Sequence, residues 1–294
     1  MSKILTYGGY ALTVGNHAVG AEIYKIPLPA NTLRVKFTEG VTPSFYKGTG
    51  TQVSASPNIW DVTYNNSDWS QMFYNVSDLL EVIAAGDTSS VTNMKQLFYY
   101  CTSLTNVIWF DTSAVTDMTE MFEKCAITTV PLYDTSSVTN MSSMFQECTS
   151  LQNVPLFDTS AVTDMSWMFN KCTSLASIPI FDTSSVSTML SMFANCTALT
   201  HAPALNTSTV TNLAYMFSGC SALKAVPLYD TSSAVYMSGM FRECRYVESG
   251  AFDLYWQAAY QTVPPTSYSQ CFRACGSSTQ TGAAELSRIP ASWK

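Results

Sequence analysis

Cysteine is the most reactive side chain in this 294-residue sequence, and it occurs nine times. Seven of the cysteines recur every 23 or 24 residues. Thiols in register could form disulfides, but seven in one column cannot all pair. Val76 occupies the same position in an irregular upstream copy, which favours free, buried, apolar cysteines. The seven are Cys101, Cys125, Cys148, Cys172, Cys196, Cys220 and Cys244.

Two further cysteines, Cys271 and Cys275, could form a disulfide or contribute ligands to a zinc site. No second cluster of cysteine or histidine lies near them in the sequence, so we expect no metal and no cofactor. The two histidines, His17 and His201, belong to no motif with a nucleophile, and no glycine-rich phosphate loop is present. The sequence therefore predicts a protein that is not an enzyme.

Acidic side chains form a second column with the same period. A row of carboxylates could be a calcium ladder, or each side chain could close a turn and cap a helix by accepting a backbone hydrogen bond. The acceptance of asparagine in one copy favours the structural role. The threonine that follows each of these residues is expected to bond the backbone of the neighbouring turn. The acidic column is Asp87, Asp111, Asp134, Asp158, Asp182, Asn206 and Asp230.

Both columns belong to a 24-residue repeat that occurs seven times. In the copy that begins at Asp134, apolar residues recur every three to four positions from Val138 to Cys148, which is typical of a buried helix face. Leu151, Val154 and Leu156 then follow the spacing of a short strand. One unit buries too little apolar surface to fold alone, so the units must stack.

The repeat predicts an α/β fold: a leucine-rich-repeat-like solenoid of about seven strand-turn-helix units with degenerate caps and a small β-rich N-terminal module. Three domains are expected. Residues 1–60 form the cap or attachment module, residues 61–250 form the solenoid, and residues 251–294 form a C-terminal capping region. Within that region, residues 251–261 are expected to be helical and residues 286–290 to form a last strand.

The strand alternation predicts where a ligand would bind. Leucine and valine would point inward, and the aromatic residue at the end of each strand would point into solvent. Such an aromatic row could stack on sugars or anchor a protein, or its members could stack on one another and only stabilise the array. The predicted ligand-binding row is Trp109, Phe110, Tyr133, Phe157, Phe181 and Tyr229.

A second candidate surface lies on the predicted helix exterior. The pair of residues after the first methionine changes from unit to unit, and Trp167 and Tyr215 belong to it. This variation could carry specificity, or it could show only that solvent imposes no constraint there.

Charge and hydropathy exclude other classes of partner. The chain has 14 Lys and Arg against 21 Asp and Glu, a net charge of −7, so nucleic acid is not an expected partner. The first ten residues lack the continuous apolar segment of a secretory signal. No stretch reaches the length of a membrane span, so membrane insertion is not expected.

The phrase Asp-Thr-Ser-x-Val-Thr-x-Met-x-x-Met-Phe-x-x-Cys-x-x-Leu-x-x-Val-Pro resembles the BspA-type leucine-rich repeats of bacterial surface proteins, in their Asp-Thr-Ser and Met-Phe variant. The resemblance covers about residues 61–250. It implies adhesion to host surfaces and extracellular proteins, and similar repeat arrays appear in gut bacteria and their phages. Proteins of this kind usually carry export and anchoring signals, and none is visible here. A phage tail or virion component is therefore also a candidate.

These observations predict a non-enzymatic adhesion protein. Its expected partner is a host or bacterial cell-surface protein or glycan, and its expected location is extracellular, on a cell surface or on a virion. The alternative is a structural subunit of a larger particle, with the repeats as a spacer.

Overall fold

The computed structural model describes residues 4–7, 10–13 and 27–294. Strands β1 (Ile4–Tyr7) and β2 (Tyr10–Thr13) form an antiparallel pair. A four-stranded antiparallel sheet follows, with the strand order β4-β5-β3-β6. Other parts of the predicted N-terminal module, at residues 1–3, 8–9 and 14–26, lie outside the described residues. The sheet strands are β3 (Thr32–Phe37), β4 (Thr49–Ala55), β5 (Asn58–Thr63) and β6 (Leu79–Ala85).

The sheet extends beyond residue 60, because β5 crosses that position and β6 lies entirely after it. Its central strand β3 is buried and carries Arg34, which is paired with Asp61 of β5. The Arg34 Nε and Nη2 atoms donate to the two carboxylate oxygens at 2.7 and 2.8 Å. This bidentate geometry compensates the cost of burying two charges.

The strand-turn-helix units predicted for residues 61–250 do not form, and the α/β solenoid prediction is wrong. Residues 86–250 are all described, and they contain no helix and no strand. Each unit is a succession of turns. The sheet-like pairing between units is limited to isolated parallel bridges, such as that between Asn140 and Asp164.

The hydrogen bonds explain why no helix forms. In the unit that begins at Asp134, Met144 and Cys148 donate their N–H groups to the carbonyls of Met141 and Phe145, three residues back. An α-helix would require bonds to the fourth residue back. Turns repeated every three residues bury one side chain per turn, so they produce nearly the same apolar spacing as a helix.

Alternate N–H groups of the same segment leave the unit. Met141, Ser143 and Phe145 donate to carbonyls of the following unit over 2.8–3.1 Å. The backbone donors are therefore shared between turns within a unit and the next unit in the stack. Because buried donors must be satisfied, one unit needs its neighbour to complete its hydrogen bonding.

Three side-chain ladders run through the stack. Phenylalanine rings of successive units, from Phe98 to Phe241, lie 5.3–5.7 Å apart and nearly parallel. Each cysteine from Cys101 to Cys244 donates its thiol proton to a phenylalanine carbonyl of the preceding unit. Six threonine hydroxyls donate at 2.7 Å to the Asp or Asn carbonyl of the next unit, which confirms their predicted role. They are Thr88, Thr112, Thr135, Thr159, Thr183 and Thr207.

The C-terminal region contains helices α1 (Ala251–Tyr260) and α2 (Gln280–Arg288) and a short 3₁₀ turn (Ala291–Trp293). The predicted helix at residues 251–261 is confirmed, whereas the strand predicted for residues 286–290 is wrong because α2 covers most of it. The N–H of Phe272 donates to the carbonyl of Trp293 at 2.9 Å. The 3₁₀ turn thus supplies an acceptor to the last turns of the array.

Candidate functional site

The predicted aromatic row is buried, with one exception. The exposed fractions of its other five members are only 1–3 %, so the expectation that they face solvent is wrong. The rings pack in the core: the Phe157 centroid lies 6.3 Å from those of Phe145 and Phe181. Their geometry therefore agrees with the alternative interpretation, in which the rings stack on one another inside the array. The buried members are Phe110, Tyr133, Phe157, Phe181 and Tyr229.

The polar ends of the two tyrosines are satisfied inside the protein. The Tyr229 hydroxyl donates to the carbonyl of Pro203 at 2.7 Å, and the Tyr133 hydroxyl donates to the carbonyl of Ile108 at 3.2 Å. Burial raises the pKa of both phenols far above the usual range. These hydroxyls are therefore occupied by the fold and are not presented to a ligand.

A tight turn reverses the side-chain alternation at this point. Phe157 and Tyr229 each donate their N–H to the proline carbonyl two residues back, at 3.0 Å. A three-residue turn of this kind replaces the extended backbone that strand alternation requires. The aromatic residue consequently turns inward, and the residue before it turns outward.

The residue before each buried one points outward, and we call the set of these outward residues the apolar row. They occur once per unit, 23 or 24 residues apart. Five of them are 57–68 % exposed, and Ala204 is exposed as well. Trp109 is the one residue shared with the predicted site. The apolar row is Trp109, Leu132, Leu156, Ile180, Ala204 and Leu228.

The acidic column borders the apolar row. Each of its side chains accepts a hydrogen bond from the N–H two residues further on, at 2.9–3.1 Å. The predicted turn-closing role is confirmed, although there is no helix here to cap. Bonds from the hydroxyl and N–H of the serine two residues on lower the pKa of Asp134 and Asp158. Both are therefore ionised at neutral pH, although they lie near apolar side chains.

The two features meet in a shallow groove of about 320 Å³. Trp109, Leu132 and Leu156 contribute apolar side chains to its lining, and Asp134 and Asp158 contribute carboxylates. Such a surface offers apolar contact area beside negative charge.

The seven cysteines of the column are free and buried, as the sequence predicts. Cys271 and Cys275, for which the sequence left a disulfide open, are also free and buried. Burial raises the pKa of the Cys148 thiol to about 12. The thiolate is the reactive and metal-binding form, so the column is chemically inert at neutral pH. Its hydrogen bonds to backbone carbonyls were not foreseen, since sequence spacing does not identify the acceptor.

Other potential sites are sparse. Across residues 27–294, no group of three or more His, Cys, Asp or Glu lies close enough to hold a metal ion. His201 is exposed and contacts Thr200, while His17 falls outside the described residues. The second predicted surface does expose Trp167 and Tyr215, which line a separate groove of about 380 Å³.

Sequence reasoning missed most of the apolar row because its members are leucine, isoleucine and alanine, the same residue types that fill the core. One signal was available. Proline precedes most of these residues, as in Pro155 and Pro227, and proline disfavours regular strand pairing. A turn at each proline would have predicted that the residue directly after the proline, and not the aromatic residue that follows it, points outward.

Comparisons with known proteins place the repeats in a family. No curated protein and no solved structure matches the chain. In the described part of the chain, no helix combines the length and apolarity needed to cross a membrane. The family described as "Mycoplasma protein of unknown function, DUF285" matches residues 67–177, 124–225 and 175–281, which is consistent with the BspA-like repeat resemblance. These matches together span more than half of the chain, which therefore belongs to this family.

Proposed function

We propose that this chain is a non-enzymatic adhesion protein that binds a partner protein on a cell surface through the apolar row and the acidic column beside it. The observation that carries the proposal is the exposure of Trp109, Leu132, Leu156, Ile180 and Leu228 in one line. Large apolar side chains arranged contiguously in solvent are typical of interaction surfaces. The proposed location is extracellular, on a cell or on a phage particle, as the BspA-type resemblance suggests.

The scaffold suits such a role because each outward residue is attached to a buried one. Leu156 is followed by Phe157, whose ring is held in the core by its neighbours. The row therefore loses little conformational freedom when a partner binds, and this lowers the entropic cost of association.

Charge indicates the chemistry of the partner. The acidic column places ionised carboxylates along the row, and the whole chain carries a net charge of −7. A complementary partner presents an apolar ridge bordered by lysine or arginine. This combination favours a protein over an anionic glycan, which the carboxylates would repel.

The test is a triple substitution, Leu132→Ser, Leu156→Ser and Ile180→Ser, followed by flow cytometry of labelled protein on bacterial and epithelial cells. These side chains are exposed, so we expect the fold to persist and saturable binding to fall by about tenfold or more. A matched control, Trp167→Ser with Tyr215→Ser, removes exposed apolar groups from the other groove and should retain binding.

Replacing Asp134, Asp158 and Asp182 by asparagine tests the charge. Asn206 already makes the same turn bond in its unit, at 3.1 Å, so the backbone should be unaffected. We expect weaker binding and a reduced dependence on salt. Unchanged binding by both the serine variant of the apolar row and the asparagine variant of the acidic column would contradict the proposal. If the wild-type chain shows no saturable binding, the structural-subunit alternative is favoured.

A further inference from the structure

A groove in the C-terminal region lies between the end of the repeats and the two helices. It has a volume of about 630 Å³, within the usual range of small-molecule sites. Leu228 lines one side, α1 contributes the opposite side, and Arg288 at the end of α2 completes it. The groove thus combines elements that are distant in sequence.

Helix α1 presents an aromatic surface to this groove and beyond it. Phe252, Trp256 and Tyr260 are four residues apart, so they share one face of the helix. The Trp256 ring lies 6.2 Å from Phe252 and 4.3 Å from Tyr260. Trp256 is 54 % exposed and Tyr260 is 64 % exposed, which is unusual for rings of this size.

Planar polar groups surround the aromatic surface. Asp253 and Gln257 also lie four residues apart on α1, and both line the groove. The guanidinium carbon of Arg288 lies 3.6 Å from the centre of the Phe252 ring. A carboxylate, an amide and a guanidinium group therefore line the groove together with the exposed Trp256 ring.

The amide oxygen of Gln257 is an unpaired polar atom in the wall of the groove. It is buried and accepts no hydrogen bond from any described residue. Buried polar atoms are almost always paired in native proteins, because an unpaired acceptor loses the hydrogen bonds that it made in water. The oxygen has almost no solvent-accessible surface, so a rotation of the Gln257 side chain, which lines the groove, would bring it to a hydroxyl group bound there.

We propose that this groove binds a saccharide. A pyranose ring has a face of C–H groups that packs on an aromatic ring, and its hydroxyls both donate and accept hydrogen bonds. Trp256 supplies the aromatic face, Gln257 and Asp253 accept from hydroxyls, and Arg288 donates to them. An apolar peptide segment would leave these three polar groups unpaired. The proposal does not depend on the partner of the apolar row.

The experiment uses full-length protein labelled with 5-fluorotryptophan and observed by fluorine NMR. We expect separate signals from the six tryptophans, and the Trp256 signal is assigned from the variant Trp256→Phe. The probes are methyl β-D-glucopyranoside, methyl β-D-galactopyranoside, methyl α-D-mannopyranoside and the trisaccharide of N-acetylglucosamine. We expect at least one probe to shift the Trp256 signal saturably while the Trp167 signal remains unchanged.

Two substitutions locate the site. Trp256→Ala and Gln257→Ala should each weaken saccharide binding by about tenfold or more, as measured by saturation-transfer NMR, and circular dichroism should show an intact fold. Trp167→Ala is the matched control and should bind normally. Leu132→Ser with Leu156→Ser and Ile180→Ser should also bind normally, so failure of the adhesion proposal is separable from failure of this one.

Three results would overturn the proposal: no probe shifts Trp256, binding survives Trp256→Ala, or a leucine- and lysine-containing peptide shifts Trp256 saturably while no saccharide does.

Discussion

Two residues in each unit have a positive φ, four positions apart. Ser143 and Glu147 are examples, with φ of 56° and 59°. The first occupies the third position of a turn whose fourth residue, Met144, bonds back to Met141. Residues other than glycine are sterically strained at positive φ. At Ser143 this conformation occurs together with a hydrogen bond from its N–H to the next unit. Gly219 and Gly239 already occupy the two columns in later units, where glycine removes that cost.

Ser143→Gly should therefore stabilise the protein, by roughly 0.5–1 kcal/mol, because relief of the left-handed strain exceeds the added entropy of the unfolded chain. The measurement is the free energy of unfolding in urea. Ser142→Gly is the control: Ser142 does not have a positive φ, so glycine there should be neutral or destabilising. Equal effects of the two changes would show that φ at residue 143 is not the cause.

A buried carboxyl group makes stability depend on pH. Glu123 is 6 % exposed, and burial, with a smaller contribution from nearby Glu120, raises its pKa to about 7. Lys124, Glu147 and Lys171 are its other charged neighbours. An unfolded glutamate titrates near 4.5, so the folded protein binds more protons between about pH 4.5 and 7. Stability contributed by this group is full below pH 4.5 and is lost as pH rises through 7.

Glu123→Gln should remove that loss, because glutamine stays uncharged. We expect the variant to be more stable than wild type at pH 8 by on the order of 2 kcal/mol, and the difference to shrink as the pH falls towards 5. Urea denaturation at several pH values measures this. A difference that does not change with pH would contradict the raised pKa.

At the scale of the element, the unit is held by turns and by bonds to its neighbours. The threonine ladder is the most regular of these contacts: the buried Thr159 hydroxyl donates to the Asp182 carbonyl at 2.7 Å. Thr163 also donates to a carbonyl, that of Thr139, but at 3.2 Å and in solvent. The two threonines make the same kind of bond in different surroundings.

Thr159→Val should cost about 1–2 kcal/mol, because it removes the donor from a partly buried carbonyl without changing the shape of the side chain. Thr163→Val should change stability by less than about 0.5 kcal/mol, since water replaces the lost bond. Thermal unfolding of both variants tests this. Similar costs at the two positions would show that the ladder is not a specific source of stability.

The sequence specified the repeat, its length and its buried columns, because burial needs only the right apolar residue at the right interval. It did not specify which type of secondary structure each unit forms. Val138, Met141 and Met144 are three residues apart, a spacing that fits both a helix and a run of turns. The positive φ at Ser143 and the hydrogen bonds to the third residue back distinguish the turns from a helix. The sequence also did not show which of Leu156 and Phe157 faces the core, because both are apolar. The three-residue turn closed by the Phe157 N–H directs Phe157 inward and Leu156 outward.

At the scale of the whole molecule, the stack separates its apolar residues into two sets. The inner set includes all nine cysteines, and the outer set includes the apolar row. The four-stranded sheet contacts the first units through β6, where Val82 donates to the Asn106 carbonyl at 3.0 Å. The C-terminal helices and 3₁₀ turn cover the last units. The proposed adhesion surface on the apolar row depends on this separation.

Maleimide labelling of the variant Leu156→Cys, counted by mass spectrometry under native conditions, tests this separation most directly. We predict one rapidly labelled thiol in the variant and none in the wild-type chain, because the native thiols are buried and protonated whereas residue 156 faces solvent. Rapid labelling of native cysteines, or no labelling at residue 156, would contradict the account.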